Sequence, residues 1–400
     1  MSRWLSSVAI LLVCACMASP ARSAILPTDL EAKVSATHES DDPEERGIFQ
    51  GLQRLEQSIR IAPQRLNAPE LEAYTRGVVE RLIGRPAPEL RYYVMRDASF
   101  NAAMFPTGMM IVNTGLLVRV RNEAQFAAVL GHEAGHYFRN HSLDRFRVMR
   151  QKSAMAEVSL AAAGGEYGWA PGTEPWKLIN HVIVMSVFRF NQYQESEADA
   201  YGLMLMAHAG YPLRDASAMC GQLFDERRAS AAARDKIYLD ARDTVSMHPP
   251  TARRIADLAD TADYLATQGT RPRDEVADGW ATVIRPYQAM LLQEQIYLND
   301  PGASLYLLEN LAKDGWTGPL RFDEGEVYRL RHAKGDDAKA ATAYATAVTL
   351  ADAPPEAWRA HGLSLLRKGD EADAYAALNR YLAMKPDAAD AAMVRFTLAH

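Results

Sequence analysis

Residues 122–139 read NEAQFAAVLGHEAGHYFR, and the spacing of their apolar residues predicts an α-helix that Asn122 can cap. His132 and His136 are four residues apart, so they lie one turn apart on the same face of that helix. Two imidazoles in this position can bind one zinc ion, and Glu133 can reach a water molecule on that ion. H-E-x-x-H is the signature of a zinc metalloprotease.

The motif also occurs by chance, as a helix with two hydrogen-bonded histidines and a surface glutamate. A protease needs a third metal ligand, and two usual spacings fail in this chain. Arg139 and Ser142 stand where a metzincin has glycine and histidine. Glu157 lies at about the distance of a thermolysin-like ligand, but no aspartate follows it four residues later.

A better third ligand lies in residues 191–202, NQYQESEADAYG. The pattern predicts that they form the polar end of a helix whose apolar start is 179–190. Glu195 and Asp199 share one face of that helix, so Glu195 can bind zinc while Asp199 accepts the ring N–H of a ligating histidine. Glu197 points elsewhere and is expected to be solvated. The alternative for the whole cluster is an acidic helix surface.

Two further segments follow the same order along the chain. Residues 246–255 read SMHPPTARRI, and residues 101–116 contain N-A, P-x-G and N-T-G-L. Together with the motifs above, they resemble the zinc metallopeptidase family that contains the CAAX prenyl protease, HtpX and the periplasmic protease BepA. The resemblance covers about residues 45–260. It implies a zincin-type domain that hydrolyses polypeptides.

The resemblance also implies roles for individual residues. His132, His136 and Glu195 would bind one Zn²⁺ per chain, and Glu133 would be the general base. In exported members that are similar to BepA, the histidine of H-P-x-x-x-x-R-I can occupy the fourth position on zinc and restrain the enzyme. Here that residue is His248, and the alternative is a loop histidine before two prolines.

Three protein ligands leave one position on zinc for water, and Glu133 can take a proton from that water. A hydrogen-bond donor must then stabilise the oxyanion. Tyr201, His248 and Arg254 are candidates, and the sequence does not choose among them. His141 is expected to be structural.

Two segments, 90–95 and 109–113, alternate like strands. Residues 100–115 are placed to supply an edge strand that pairs with an extended substrate. The alternative is an ordinary core hairpin. Residues 47–84 are predicted to be helical in two pieces.

The N-terminus predicts export. Residues 1–23 read as a cleaved signal peptide, and 24–46 as a loose polar arm. The alternatives are an uncleaved anchor helix and lipidation at Cys16. The expected location is the periplasm, with peripheral contact to a membrane left open. Cys220 would be the one cysteine of the mature chain.

The C-terminal part predicts helical repeats. GDDA at 335–338 recurs as GDEA at 369–372, a period of 34. In the second copy Trp358 and Gly362 match tetratricopeptide positions, whereas Glu324 replaces the tryptophan in the first copy. A generic helical bundle is the alternative. Concave repeat surfaces bind extended or helical segments.

We therefore predict an α+β, mostly α chain with a zinc metalloprotease domain at 47–270 and a tetratricopeptide-like domain at 280–400. It would cleave misfolded or stalled cell-envelope proteins, with its repeats recruiting substrate or the outer-membrane assembly machinery. Two alternative functions are a chaperone or adaptor with little proteolysis, and a membrane-anchored processing enzyme. A net charge of −6 gives no sign of nucleic-acid binding.

Overall fold

The computed structural model describes residues 43–145, 190–239, 248, 251–269 and 279–399. The predicted signal peptide and Cys16 lie outside this part of the chain. Its helices include none with the length and apolar character of a membrane span.

Two helices begin the described chain, as the sequence predicted. They are α1 (Pro43–Arg60) and α2 (Pro69–Ile83). The first starts four residues earlier than expected, so 43–46, assigned to the loose arm, already form its first turn.

A four-stranded sheet follows the two helices. Its strands are β1 (Arg65–Leu66), β2 (Arg91–Met95), β3 (Ala102–Met104) and β4 (Met109–Asn113). The spatial order is β1-β2-β4-β3, with β2 parallel to β4 and β3 antiparallel to β4. Because side chains alternate along a strand, Tyr92 packs in the main core with α2, while Tyr93 packs with α1. The strand β3 is an edge of this sheet.

The helix predicted from the histidine motif is α4 (Glu123–Phe138), which follows the short α3 (Thr114–Leu117). The Asn122 side chain caps α4 by accepting a hydrogen bond from the backbone N–H of Gln125 at 2.8 Å. The helix is buried almost along its whole length. It is therefore held by packing on several sides.

Three helices complete the walls around α4: α5 (Gln192–Ala209), α6 (Arg214–Ala232) and α7 (Ala252–Thr267). Asn191 caps α5 in a capping box with Gln194, so a helix begins at the acidic motif. The prediction of one helix running on from Phe190 is therefore wrong, and 179–189 lie outside the described residues. The helix ends at Gly210, which has φ 79°.

The remainder is helical: α8 (Trp280–Ile284), α9 (Gln288–Tyr297), α10 (Pro301–Leu311), α11 (Gly318–Arg331), α12 (Asp336–Ala347), α13 (Pro355–Lys368), α14 (Glu371–Met384) and α15 (Ala391–Ala399). Trp280 packs on Phe126 and donates to the Val120 carbonyl at 2.9 Å. Residues as far along as Val327 belong to the same hydrophobic core as α4. The first C-terminal helices therefore continue the core of the N-terminal part.

Two helix pairs, α11 with α12 and α13 with α14, pack through small residues. A Cβ on Gly325 would lie 2.3 Å from the Tyr344 ring, and one on Gly362 would lie 2.8 Å from Leu378. Tyr344 and Leu378 are 34 residues apart, but the two glycines are 37 apart. The predicted period therefore holds for the second helix of each pair and fails for the first, so Glu324 is not the counterpart of Trp358.

Candidate metal centre

Four side chains converge between α4 and α5. His132 and His136 come from α4, Glu195 comes from α5, and His248 approaches from the segment before α7. The Nε2 atoms of His132 and His136 are 3.1 Å apart. The Nδ1 atom of His248 lies 3.1 Å from Nε2 of His132 and 2.8 Å from Oε1 of Glu195. Donors on one tetrahedral zinc ion are about 3.3 Å apart, so these atoms fit around one such ion.

The hydrogen-bond partners of the His132 and His136 rings also suit a bound cation. Nδ1 of His132 lies 2.8 Å from Oδ1 of Asp199, and Nδ1 of His136 lies 2.8 Å from Nδ1 of His141. Each N–H is thereby directed away from the cluster, so the two Nε2 lone pairs face one another. Within the described part of the chain, Oε2 of Glu195 is buried without a hydrogen-bond partner. Buried imidazole and carboxylate acceptors that converge in this way are a site for a positive ion.

Glycines allow α4 and α5 to approach closely enough to form this cluster. A Cβ on Gly135 would lie 2.9 Å from the carbonyl oxygen of Ala198. A Cβ on Gly202 would lie 2.9 Å from the backbone nitrogen of His132. The same motifs that carry the polar side chains therefore also carry the residues that let their helices touch.

Asp199 is held by Arg254 as well as by His132. Nε and Nη2 of Arg254 donate to the two Asp199 oxygens, each at 2.7 Å. Burial alone would raise the pKa of Asp199, but the charges of Arg254 and His132 lower it below its ordinary value. Asp199 therefore remains an acceptor, and it fixes His132 in the tautomer with the lone pair on Nε2.

His136 is supported by a pair that the sequence analysis did not find. Nε2 of His141 lies 3.2 Å from Oε2 of Glu197, and Arg139 contacts Oε1 of the same carboxylate at 2.6 Å. The expectation that Glu197 is solvated is therefore wrong, because the α4–α5 contact covers it. His141 is 3% exposed and links His136 to this carboxylate. The signal available in the sequence was a third histidine five residues after His136.

Glu133 lies beside the cluster and is 2% exposed. Burial raises its pKa, an effect that the charges of His248 and His132 partly oppose. One Glu133 oxygen is 3.4 Å from Nε2 of His248. The backbone N–H of Met104 in β3 points at the same carboxylate. A carboxyl with a raised pKa can both accept and return a proton.

The pKa of Glu195 is shifted in the opposite direction from that of Glu133. Burial would raise its pKa, but the charge of His248, contacts with the His136 and His248 rings and the charge of Arg254 lower it well below its ordinary value. The two buried carboxylates of the site therefore differ in pKa. Glu195 is held ionised, as a metal ligand should be.

Two of the three candidate oxyanion donors are not free to serve the site. Tyr201 lies in the hydrophobic core, and Arg254 is hydrogen-bonded to other residues. The Tyr201 ring lies in the hydrophobic core, 5.9 Å from that of Phe138, so the expectation that it serves the site is wrong. Arg254 directs its guanidinium to Asp199 and to the carbonyl of His248 at 3.3 Å. It is placed to position these two residues.

Comparisons with known proteins agree with this geometry. Residues 65–262 match the model of peptidase family M48. Mitochondrial metalloendopeptidase OMA1 of Schizosaccharomyces pombe is 30% identical over 188 residues, which are 46% of this chain and 51% of that protein. The beta-barrel assembly-enhancing protease of Escherichia coli K12 is 23% identical over 217 residues, 52% of this chain and 42% of that protein.

A longer match extends past the family model. The beta-barrel assembly-enhancing protease of Yersinia pestis is 21% identical over 325 residues, 78% of this chain and 61% of that protein. The chain thus spans about two fifths to three fifths of the relatives it matches. The family resemblance predicted from the motifs is confirmed, because residues 65–262 of this chain match peptidase family M48.

Proposed function

We propose that this chain is a zinc-dependent endopeptidase whose metal is held by His132, His136 and Glu195. The observation that carries this proposal is the convergence of their donor atoms, with each histidine N–H directed away from the centre. Two nitrogen ligands and one carboxylate suit zinc and leave a position for the reaction. The match to a peptidase family supports the same reaction class.

When bound, the ion would supply Lewis-acid activation of water and of the substrate carbonyl. Glu133 would accept a proton at its buried carboxylate and return it to the leaving amide nitrogen. His136 and His132 keep their tautomers because His141 and Asp199 fix the other ring nitrogens.

His248 supplies a fourth donor that restrains the enzyme. Its Nδ1 lies within the cluster, and its Nε2 faces Glu133. A substrate carbonyl and a nucleophilic water need this space, so His248 must withdraw before hydrolysis. The Arg254 contact to the His248 carbonyl holds the resting position.

The edge strand β3 supplies a surface for the substrate backbone. The Phe105 N–H donates to Met109 and the Asn113 N–H donates to Asn101, so the odd-numbered residues of this strand face β4. The backbone groups of Ala102 and Met104 consequently point to the other side, where Glu133 lies. An extended polypeptide can add there as a further strand.

The cellular role is proposed from the relatives and the N-terminus. Proteins named beta-barrel assembly-enhancing protease match this chain, and residues 1–23 read as an export signal. We assign it to quality control of cell-envelope proteins in the periplasm. The pairs α11–α12 and α13–α14 would act as tetratricopeptide-like units that recruit substrate or the outer-membrane assembly machinery.

Cleavage of an unfolded model protein by the zinc-loaded chain tests the proposal, with Glu133→Gln as the inert variant. We expect the wild type to cut and Glu133→Gln to retain zinc while losing at least a hundredfold in rate. The matched control is Glu371→Gln on the exposed start of α14. Zinc-loaded protein that suppresses aggregation but never cuts, even as His248→Ala, would favour the chaperone function.

A further inference from the structure

A pocket contains His132 and Glu133, and its apolar part has no role in the proposed mechanism. It encloses about 720 Å³ when the open solvent at its mouth is included. Its walls come from the four helices α4 to α7. The apolar residues that form them are Val129, Leu203, Met206, Met219, Leu223 and Leu258.

The apolar part of this pocket is poorly suited to charge. Met206, Met219 and Leu203 are at most 3% exposed. The Cys220 thiol also lines it, and burial raises the pKa of that thiol to about 11, so it is neutral. The Arg254 guanidinium also lines the pocket and is already paired with Asp199. A charged side chain entering the pocket would lose its hydration without gaining a partner.

The position of the pocket assigns it to one side of the scissile bond. Phe100, Asn101 and Ala102 line its mouth, so it lies at the N-terminal end of β3, whereas Met104 lies beside Glu133. A polypeptide that adds antiparallel to β3 runs its C-terminal half past residues 100–102. The first side chain after the scissile bond then lies over the pocket.

We propose that this pocket selects substrates with a large apolar residue immediately C-terminal to the scissile bond. The inference rests on the proposed endopeptidase function and names its substrate class. Met206 and Met219 are flexible and polarisable, so the pocket accepts leucine, methionine and phenylalanine and discriminates against aspartate, serine and glycine. Such preference suits unfolded chains, in which apolar residues are accessible.

Two measurements test this inference. The first identifies by mass spectrometry the cut sites that the zinc-loaded wild type makes in an unfolded protein. The second measures binding to the zinc-loaded Glu133→Gln chain, which does not need cleavage. The probes are fluorescent glycine- and serine-rich peptides that differ at one guest position, with leucine, phenylalanine, serine or aspartate there.

We expect leucine, methionine or phenylalanine after the majority of cuts, and at least about tenfold tighter binding of the leucine peptide than of the serine peptide. Met219→Ala enlarges the pocket and should raise the phenylalanine-to-leucine binding ratio about fivefold. Leu223→Gln, at the partly exposed rim, should reduce the leucine-to-serine ratio and is the second variant if Met219→Ala misfolds. Met393→Ala, on the exposed surface of α15, is the matched control and should change neither ratio.

The outcomes separate the two proposals. Cleavage with no apolar preference after the cut, or equal binding of all four peptides, overturns the pocket inference and leaves the endopeptidase function standing. Absence of cleavage with the expected binding order removes the endopeptidase function and retains the pocket as an apolar binding site. A Met393→Ala effect as large as that of Met219→Ala would also overturn the inference.

Discussion

The α-carbon of Gly202 in α5 packs directly against the backbone of His132 in α4. A Cβ at position 202 would lie 2.9 Å from the His132 nitrogen and 3.0 Å from the Gly131 carbonyl carbon. Neither of these backbone atoms can move without moving His132. The separation of α4 and α5, and with it the geometry of the metal centre, therefore depends on the absence of a side chain at Gly202.

Gly202→Ala is expected to destabilise the protein, although alanine normally improves a helix. The helical preference of alanine contributes up to about 1 kcal/mol, while the overlap with α4 costs about 1–3 kcal/mol. Gly221→Ala in α6, where a Cβ would meet nothing within 4 Å, should be neutral or stabilising. Chemical denaturation of both variants measures the difference, and equal stabilities would show that α4 and α5 are not in close contact.

Glu197→Gln is expected to weaken zinc binding about 10- to 100-fold, because it loosens His141 and hence His136. Competition with a coloured chelator measures the affinity. Glu294→Gln is the matched control. It alters a carboxylate in α9 that pairs with Arg96 and not with His141 or His136. An unchanged zinc affinity in Glu197→Gln would mean that the His141–Glu197 pair does not position the ligand.

His248→Ala is expected to increase the rate of cleavage several-fold, since it removes the side chain that fills the site. It should also weaken zinc binding, because one donor is lost. Initial rates on an unfolded protein, at saturating zinc, measure the effect. The control is His208→Ala, at an exposed position in α5. A slower His248→Ala enzyme would indicate that this histidine serves the reaction itself.

Stability should fall as the pH rises through the titration of Asp323 in α11. Burial, with a smaller effect of the Glu326 charge, raises the pKa of Asp323 to about 8 from an ordinary value of 3.8. The folded state therefore holds a proton that the unfolded chain releases near pH 4, so this contribution to stability is complete below pH 4 and is lost progressively up to about pH 8. The loss is on the order of a few kcal/mol.

Asp323→Asn should remove most of this dependence. Denaturation at pH 5 and pH 9 should show a smaller loss of stability in Asp323→Asn than in the wild type. Asp337→Asn, at an exposed aspartate of α12, should behave like the wild type. Identical pH dependence in Asp323→Asn and the wild type would show that Asp323 is not buried in its protonated form.

Local features of the site could be predicted because they depend on helical spacing. The cap of α4 and the common face of Glu195 and Asp199 follow from positions within one segment. The His141–Glu197 pair could not be predicted, since it joins residues 56 apart through the α4–α5 contact. The same contact decides which side of α5 faces the core, so the sequence alone does not exclude Tyr201 as a candidate donor.

The ligands of a bound zinc ion follow directly from the arrangement of His132, His136, Glu195 and His248. X-ray absorption spectroscopy on the full chain, loaded with one equivalent of zinc, reports the ligand types around the ion. We expect three imidazole nitrogens and one carboxylate oxygen in the resting state, and two imidazoles after His248→Ala. Sulfur coordination, or a spectrum that His132→Ala and His136→Ala leave unchanged, would contradict it.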